Sequence, residues 1–550
     1  MAVRGRPLWR EGPERQADDV LADQILSAYR QEGARFLERL HGGFALAVVD
    51  AKANSALLAI DRMGIERLAY STGGGRLVFS TSAEAVARAP GISARLSPQA
   101  LYSYLFFHKI PAPETAFEGV SKLPAGTALE FTAHEARVFR YWQPQIVDSG
   151  HGDAQYLARK LGASLRAAVR ATQPGAHSGA FLSGGLDSST VAGVLAEVGP
   201  SAAQTFSIGF GYPDYDELPY ARIANQRFGC KGHEYTVHGS DIAKTLPLIA
   251  RAYDEPFGNS SALPAYYCAR LAKEAGVDHL LAGDGGDELF AGNPQYAEQQ
   301  VFEWYSRAPL FVRQGLLEPL LAAIPRSVNA WLVRKARGYV EKANIPLPAR
   351  LEMWNFVHVL GPADILHPDF LASIDPRAPI AHMQAVWESA PGHSTLRRML
   401  WYDWRFTLAD NDLRKVETMA RLAGVSVSYP MLHPDVVELS CAVPPGLMMP
   451  GRKLRHFYKQ AMTGFLPDDI IHKKKHGFGL PFGLWLNESA ELRDLVLGSL
   501  TALRSRRIVR PEFIDRLVAL HGAEDARYYG VFIWVLVMLE QWLQEHGIAL

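Results

Sequence analysis

A short segment that runs from a strand through two glycines into a helix is the feature that most constrains this chain. It reads Phe-Leu-Ser-Gly-Gly-Leu-Asp-Ser-Ser-Thr at residues 181–190. Two glycines permit a tight turn, and the exposed backbone N–H groups of the turn and of the helix start form a cradle for phosphate. The carboxylate of Asp187 adds an oxygen ligand of the kind that Mg²⁺ prefers. The segment therefore predicts a phosphate-binding loop, and it lacks the GxxxxGK[ST] pattern of kinases and GTPases.

Strands and helices alternate around this loop. The predicted strands are residues 176–182, 204–210, 231–237 and 279–282, and the predicted helices are residues 156–172, 188–198, 218–228 and 262–275. Such alternation is typical of a doubly wound parallel sheet, which binds ligands at the carboxyl edge of its strands. After residue 292 the pattern becomes mainly helical. This part of the chain is therefore predicted to be an α/β domain with a helical C-terminal part.

The first 142 residues follow another pattern, in which short apolar strands lie between turns. Strands are predicted at residues 44–50, 56–61 and 76–80, and helices at residues 20–40 and 98–107. A polar segment at 143–153 has the composition of a linker. A chain of 550 residues is too long for one compact core. We therefore predict two domains, an α+β domain at residues 1–145 and an α/β domain at residues 154–545.

Composition narrows the environment and the partners. Lys plus Arg and Asp plus Glu both number 57, so no net charge draws the chain to nucleic acid or to an anionic membrane. Three widely spaced cysteines and a polar N-terminal stretch fit a reducing cytoplasm and no secretory signal. The apolar run at 528–539 is too short to span a bilayer and is predicted to be a buried terminal helix. The expected protein is cytoplasmic and acts without nucleic acid or membrane.

A second loop, Gly-Asp-Gly-Gly-Asp-Glu at residues 283–288, also follows a predicted strand. Parallel strands bring such loops together at one sheet edge. Asp287 is therefore expected to meet Asp187, so that two carboxylates share one Mg²⁺ bound to phosphate.

These two loops and three further segments together resemble the asparagine synthetase family. The first loop alone resembles the pyrophosphate-binding loop of ATP pyrophosphatases, which split ATP into AMP and pyrophosphate. The further segments are residues 205–210 (TFSIGF), 254–264 (DEP followed by SSALP) and 474–481 (KKHGFGLP). The likeness extends from about Arg4 to Trp542. It implies ATP and Mg²⁺ as cofactors and an acyl-adenylate as intermediate.

The resemblance also implies roles for particular residues. Pyrophosphate would be bound by Ser183, Gly184, Gly185, Asp187 and Ser188. The adenosine pocket would be lined by Leu182, Ile208 and Gly283. The metal would be held by Asp187 and Asp287. The candidate catalytic residues are Lys475, Asp284 and Glu417. Lys475 would stabilise charge on the leaving pyrophosphate, whereas Lys473 and Lys474 are interpreted as a solvated basic run.

The N-terminal domain resembles a class II glutaminase, a class that frees ammonia with an N-terminal cysteine. The resemblance lies in residues 42–50, 61–65, 79–82 and 111–126, and no cysteine precedes Cys230. Residues that bind glutamine in the family correspond here to Arg4, Arg6 and Leu21. A misassigned start codon is one explanation for the missing cysteine. The internal substitutions favour instead a truncated domain without glutaminase activity.

The acceptor side departs from the family as well. In the segment 416–432 a glutamate suited to deprotonating the amine corresponds to Ser426, and an arginine corresponds to Ser428. Ser426 and Ser428 therefore define an altered acceptor pocket. Residues 410–415 supply other polar groups, and Glu417 is a candidate base. Either these residues act on the acceptor or they form a solvated helix face.

The predicted function is ATP-dependent amide-bond formation between an adenylated carboxylate and an amine. The carboxylate belongs to a small molecule or a peptide. Relatives without glutaminase activity include β-lactam synthetases and lasso-peptide cyclases, and a β-lactam synthetase carries tyrosine where this chain has Asp284. A lasso-type macrolactam cyclase, assisted by a peptide-processing partner protein, is the preferred hypothesis. The alternatives are an asparagine synthetase, an amide ligase for a sugar acid or other metabolite, and an ATP-binding scaffold.

Overall fold

The computed structural model of the protein describes residues 1–10, 18–150, 152–324, 331–473, 480–523 and 526–548. Within these ranges the chain forms an N-terminal antiparallel sheet, a central parallel sheet and a largely helical remainder. The α/β fold class expected from the sequence is confirmed. The domain limits at residues 145 and 154 stay a prediction.

The N-terminal sheet has five antiparallel strands. In spatial order they are Ala2–Gly5, Phe44–Asp50, Ser55–Ile60, Thr127–Phe131 and Ala136–Arg140. Both faces of the sheet are apolar because both are covered. Phe44, Leu46 and Val48 pack beneath the helix Asp18–Glu32 and the 3₁₀ turn Gly33–Arg39. Ala45 and Ala47 lie in a separate cluster on the other side.

A smaller sheet and two helices complete this domain. The small sheet pairs Ala69–Ser71 with Val78–Ser80 and with Ser121–Lys122. Leu8–Trp9 pairs with Leu40–His41 beside the main sheet. The helices are Ala83–Ala87 and Pro98–Phe107, and the second has the bounds predicted from the sequence. Its start follows from Ser97, whose hydroxyl accepts the N–H of Ala100, and from Pro98 in the first turn.

The buried carboxylate of Asp61 organises the turn after the strand Ser55–Ile60. Its oxygens accept the backbone N–H groups of Met63, Gly64, Ile65 and Glu66 at 2.8–3.0 Å. Burial raises the pKa of Asp61 to about 6, although these N–H groups act in the opposite direction. The Asp-Arg-Met-Gly-Ile segment therefore has a structural role, since Asp61 holds the backbone of the turn in place.

The central sheet has five parallel strands. Their spatial order is Lys231–Thr236, Gln204–Gly209, Ser178–Phe181, His279–Leu281 and Ser426–Ser428. The first four were predicted from the sequence. The fifth was not, because it has only three residues and follows a long helical stretch. From the central strand Ser178–Phe181, the next two strands in the chain are added on one side of the sheet and the last two on the other side. At such a reversal of strand order, a crevice that can bind a ligand forms at the carboxyl ends of the strands.

Helices cover both faces of this sheet. Ala154–Ala171 precedes the first of these strands in the chain, and the helices that connect the first four strands are Leu186–Val198, Leu218–Phe228, Gly239–Ala252 and Ala262–Glu274. The helix Gly239–Ala252 was not predicted. The others agree with the sequence pattern within two residues at each end.

The remainder of the described chain is helical. After the short helix Gly286–Phe290, its main helices are Pro294–Arg307, Glu318–Ala323, Trp331–Ala343, Phe356–Leu360, Pro368–Ala372, Ala378–Glu388, Thr395–Asp403, Arg414–Leu422, Pro434–Ala442, His456–Met462, Asp468–Ile471, Phe482–Glu488, Ala490–Ser505, Pro511–Ala523 and Ala526–Glu545. A π-helix, Trp404–Leu413, joins Thr395–Asp403 to Arg414–Leu422.

The predicted terminal helix is confirmed as Ala526–Glu545, and most of its residues from 532 to 543 are buried. Its buried Glu540 pairs with Arg506 at 3.1 Å. In the part of the chain that the structure describes, no helix has the length and apolar character to cross a membrane.

A buried ion cluster joins the two predicted domains. Glu255, which is 1% exposed, accepts hydrogen bonds from Lys122 Nζ at 2.7 Å and from the backbone N–H of Ala116 at 3.0 Å, and it forms an ion pair with Arg414 at 3.1 Å. Asp254 accepts the N–H of Ala83 at 2.7 Å. The Asp-Glu-Pro segment therefore holds the N-terminal domain against the parallel sheet.

Candidate active site

The predicted phosphate loop, residues 183–188, lies where the strand Ser178–Phe181 ends and the helix Leu186–Val198 begins. The hydroxyls of Ser183 and Ser188 are 3.0 Å apart, and the N–H of Ser183 donates to Ser188 Oγ at 3.2 Å. Gly185 occupies the N-cap position, and among the described residues no side chain caps this helix. Its first N–H groups therefore remain available for an anion, in agreement with the expected phosphate site.

Gly184 shows why this loop needs glycine. Its φ is +71°, and a Cβ atom there would lie 2.6 Å from the backbone nitrogen of Ala221 and from the Cβ atom of Tyr220. The loop therefore rests directly on the helix Leu218–Phe228, and a side chain would push it away.

The acidic loop, residues 283–288, packs against the phosphate loop as the sequence predicts. A Cβ atom on Gly283 would lie 2.7 Å from the backbone nitrogen of Ser188. A Cβ atom on Gly286 would lie 2.2 Å from Asp187 Oδ1. The glycines of the second loop thus provide the space in which the carboxylate of the first loop lies.

We expect Gly286→Ala to lower turnover about 100-fold, because the new methyl group displaces the carboxylate of Asp187 and misplacement by about 1 Å has effects of this size. The measurement is the rate of ATP–pyrophosphate exchange. Gly498→Ala is the matched control, since no atom lies within 4 Å of a Cβ atom built at this helical position. Equal exchange rates for wild type and Gly286→Ala would show that the position of the Asp187 carboxylate does not depend on the space left by Gly286.

Asp187 and Asp287 do converge, and the group between them is Arg455. The guanidinium donates to Asp187 Oδ1 at 2.8 Å and also forms an ion pair with Asp287. Arg455 is 8% exposed and has a φ of +54°, which is uncommon for a residue other than glycine. Sequence analysis did not identify Arg455. The only available signal was its place in a basic stretch just before the helix His456–Met462.

A lysine also reaches the phosphate loop. Lys473 Nζ donates to Glu217 Oε1 at 2.6 Å, lies 3.4 Å from the carbonyl oxygen of Gly184, and is 4.4 Å from the ring centroid of Tyr220. Its side chain is only 6% exposed, so the interpretation of Lys473 as part of a solvated run is wrong. Lys475 and Lys474 lie outside the described residues, and the role predicted for Lys475 stays a prediction.

Asp284 belongs to the acidic loop and faces the charges of Lys415 and Asp412. Lys415 Nζ donates to Asp412 Oδ1 at 2.8 Å. Burial raises the pKa of Asp284 to about 6, and the carboxylates of Asp412 and Asp187 act in the same direction while Lys415 opposes them. A carboxyl group with such a pKa exchanges a proton near neutral pH, as a general acid or base requires.

Glu417 is on the same helix as Lys415, two residues further along the chain. Its carboxylate lies 3.5 Å from Arg421, which in turn lies 3.7 Å from Glu66. Burial raises the pKa of Glu417 to about 7, reinforced by the charge of Glu66 and opposed by Arg421. Tyr429, which the sequence analysis did not single out, is buried and faces the charges of both Glu417 and Asp284.

We expect Glu417→Gln to become more stable relative to wild type as the pH rises from 4.5 to 8. Because the pKa of Glu417 is higher in the folded than in the unfolded chain, the folded state binds more protons between pH 4.5 and about 7, and stability falls across this window. The variant lacks this loss of stability, which amounts to about 3 kcal/mol. Urea unfolding at several pH values measures it, with the exposed Glu135→Gln as control. A stability difference independent of pH would contradict the raised pKa.

The remaining predicted residues are placed as follows. Leu182 donates its N–H to Phe206 O at 2.9 Å, and Ile208 is buried in the adjacent strand, so both border the carboxyl edge beside Gly283. Ser428 Oγ lies 2.9 Å from His279 Nε2, and the exposed Ser426 donates to the carbonyl of Asp278 at 3.0 Å. Ser426 is at the amino end of its strand, so the structure does not bring it to the loops.

The fold and the site together define an α/β protein whose glycine-rich loop, suited to bind phosphate, lies between a parallel strand and a helix. The asparagine synthase family profile matches residues 160–544, which is more than half of the chain. A glutamine amidotransferase domain profile matches residues 16–142. The chain therefore belongs to the asparagine synthase family, whose members carry out ATP-dependent amidation.

Individual relatives agree over most of the length. A protein of Mycobacterium tuberculosis named putative asparagine synthetase [glutamine-hydrolyzing] is 23% identical over 97% of this chain and 81% of its own. Asparagine synthetase [glutamine-hydrolyzing] 1 of Bacillus subtilis is 22% identical over 95% of this chain and 80% of its own. A Methanocaldococcus jannaschii protein named putative asparagine synthetase [glutamine-hydrolyzing] 2 is 29% identical over 57% of this chain and 61% of its own.

Proposed function

We propose that this protein is a ligase that activates a carboxylate as an acyl-adenylate and transfers the acyl group to an amine. The observation that carries this proposal is the convergence of Asp187 and Asp287, from two separate loops, on one cationic group at the carboxyl edge of the sheet. Such an edge, with free helix N–H groups beside it, is suited to bind the triphosphate of ATP.

The proposed reaction has two steps. A carboxylate oxygen attacks the α-phosphorus of ATP, the bond to the β-phosphate oxygen breaks, and pyrophosphate leaves. The amine nitrogen then attacks the acyl carbon, and the bond from this carbon to the oxygen of the phosphate breaks. AMP leaves with that oxygen, and the nitrogen loses a proton. Asp284 and Glu417, whose pKa values are raised into the neutral range, are the candidate bases for that proton. Lys475 is the proposed cation for the leaving pyrophosphate.

The residues present fit a magnesium ion. The guanidinium of Arg455 shows that a cation can reach both Asp187 and Asp287 at once. Within the described ranges no group of three acidic, histidine or cysteine side chains forms a complete protein cage for a metal. Two carboxylates fit Mg²⁺, which usually takes only one or two carboxylates together with phosphate and water oxygens. Such an ion would neutralise charge on the phosphates.

We further propose that the amine comes from a substrate rather than from glutamine. Arg4, where the family binds glutamine, donates to Thr81 Oγ1 at 2.6 Å and pairs with Glu66 at 3.1 Å. These contacts give Arg4 a structural role. It links the sheet to Glu66, which forms an ion pair with Arg421, and Arg421 forms another with Glu417. The preferred reaction remains the closure of a peptide macrolactam of the lasso type, with a peptide-processing protein as partner.

A second candidate function is asparagine synthesis. It is favoured by the relatives named asparagine synthetase, which align with up to 97% of the chain. Opposed to it are Ser426 and Ser428, which replace the charged residues of the family's acceptor segment and bind backbone and histidine groups here.

The deciding experiment is ATP–pyrophosphate exchange with Mg²⁺, in which aspartate is compared with peptides that carry an Asp or Glu side chain and a free N-terminus. If a peptide supports exchange and its mass falls by the mass of one water, the macrolactam reaction is supported. Exchange with aspartate, together with glutamate release from glutamine, supports asparagine synthesis instead. Silence with every carboxylate in folded protein contradicts the ligase and leaves an ATP-binding scaffold.

A further inference from the structure

A cavity of about 430 Å³ opens beside the acceptor side of the site. Its size falls in the range of pockets that hold small organic ligands. Aromatic rings form one part of its wall, and polar side chains form another. The rings belong to Phe106, Trp354, Phe356, Phe406, Tyr528 and Phe532. The entrance is open to solvent, since Trp354 and Tyr528 are 58% and 43% exposed.

The cavity borders the helical segment that leads into the active site. Phe406 and Thr407 line it and belong to the π-helix Trp404–Leu413, which continues directly into the helix that carries Lys415 and Glu417. Five residues of an α-helix span about 7.5 Å, and a π-helix is shorter, so Thr407 and Asp412 lie close together along this axis. A ligand in the cavity therefore lies next to the acidic side of the candidate site.

One cation faces this cavity. Lys109 follows the helix Pro98–Phe107, and the left-handed conformation of His108 (φ +59°) turns the chain so that Lys109 lines the cavity. Lys109 is only 9% exposed. Within the described part of the chain, no side chain forms a hydrogen bond or an ion pair with its ammonium group. Burial lowers the pKa of Lys109, and the carboxylates of Asp410 and Glu352 partly oppose this effect.

Two of the acidic groups that act on Lys109, Glu352 and Asp403, also line the cavity, and both already accept hydrogen bonds from other side chains. Asp403 accepts from Thr407 Oγ1 at 2.8 Å and from Asn293 Nδ2 at 3.3 Å, and the hydroxyl of Tyr296 also donates to it. Glu352 accepts from Asn355 Nδ2 at 3.1 Å. Lys109, by contrast, borders the open cavity, where a bound group can reach its ammonium nitrogen. The open space beside Lys109 in the cavity is therefore suited to an anion.

We propose that this cavity binds a carboxylic acid with an aromatic or bulky apolar body, whose carboxylate pairs with the ammonium group of Lys109. The aromatic wall removes the apolar body from water, and the charge-assisted hydrogen bond to Lys109 fixes its orientation. We assign this acid as the organic substrate class of the ligase, and this assignment rests on the proposed function.

The test compares three probes of one shape on the full-length protein. These are 3-phenylpropionate, its amide and 3-phenylpropylamine, and ligand-observed NMR gives each Kd. We expect the carboxylate to bind at least tenfold more tightly than the amide or the amine. Lys109→Met should weaken carboxylate binding about 10- to 100-fold. Lys52→Met, at an exposed turn of the N-terminal domain, is the control.

A second variant locates the ligand. Val531→Trp narrows the entrance from an exposed position and should weaken binding of the carboxylate while leaving the melting temperature near that of wild type. Carboxylate binding that is equal in wild type, Lys109→Met and Val531→Trp would overturn the inference. Preferential binding of the amine would overturn it as well.

Pyrophosphate exchange on the same samples separates this inference from the proposed function. Binding that depends on Lys109, without exchange for any carboxylate, leaves the ligand site standing and refutes the ligase. Exchange that is insensitive to Lys109→Met, with no binding of the aromatic acid, leaves the ligase standing and refutes the cavity as its substrate site.

Discussion

Replacing Asp187 by Asn is expected to lower ATP–pyrophosphate exchange by at least 100-fold. The carboxylate lies at the start of the phosphate-loop helix and shares one cationic partner with Asp287. Its neutral isostere keeps the shape and removes the charge that a metal–phosphate complex would meet there. Losses of this size are typical when one electrostatic contact to reacting phosphate or oxyanion groups is removed. The measurement is the exchange rate at saturating ATP and Mg²⁺.

The matched control for Asp187→Asn is Asp494→Asn, an exposed position on the helix Ala490–Ser505. Asp287→Asn should resemble Asp187→Asn, and the double variant should be little worse than either, because both act on one group. An Asp187→Asn variant with normal exchange would remove the main support for the proposed function. An unchanged melting temperature distinguishes lost chemistry from lost folding.

Glu255→Gln is expected to lower the free energy of unfolding by about 3 kcal/mol, because breaking one partner of a buried ion pair leaves an uncompensated charge. The carboxylate of Glu255 contacts Lys122 at 2.7 Å and Arg414 at 3.1 Å, and all three side chains are almost fully buried. The variant leaves three cations facing an amide, because Arg67 also lies 3.6 Å from the carboxylate of Glu255. Urea unfolding followed by circular dichroism measures the loss.

The same experiment on Glu341→Gln, an exposed glutamate of the helix Trp331–Ala343, provides the control and should show a change below about 0.5 kcal/mol. Because Glu255 joins the two predicted domains, Glu255→Gln should also speed proteolysis within residues 143–153. Equal unfolding curves for Glu255→Gln and wild type would mean that the ion cluster contributes no net stability.

Local pattern was sufficient for most of the fold. The strands Gln204–Gly209 and Lys231–Thr236 and the helix Leu218–Phe228 were predicted to within one residue, because each is a periodic apolar run bounded by turn residues. The strand Ser426–Ser428 has three residues, too few for any periodicity. It becomes a strand because its backbone pairs with His279–Leu281, a contact between segments far apart in the chain.

The candidate site divides in the same way. Asp187 and Asp287 could be paired from the sequence, since the loops that follow parallel strands meet at one edge. Arg455 could not be paired with them, because nothing in its neighbourhood in the chain shows where its side chain points. Lys473 was misinterpreted for a related reason, since a run of lysines is charged in any sequence and only folding buries one against Glu217.

The sequence by itself determined the fold class, the family and the two loops that are predicted to bind ATP, because these depend on backbone requirements that neighbouring residues meet together. The tertiary structure alone decided the cation between the two aspartates, the raised pKa values of Asp284 and Glu417, and the cavity in which Lys109 lies. These properties arise from burial and from charges on segments distant in sequence. Burial and the effect of distant charges both depend on distances in space, so no local pattern of residues encodes these properties.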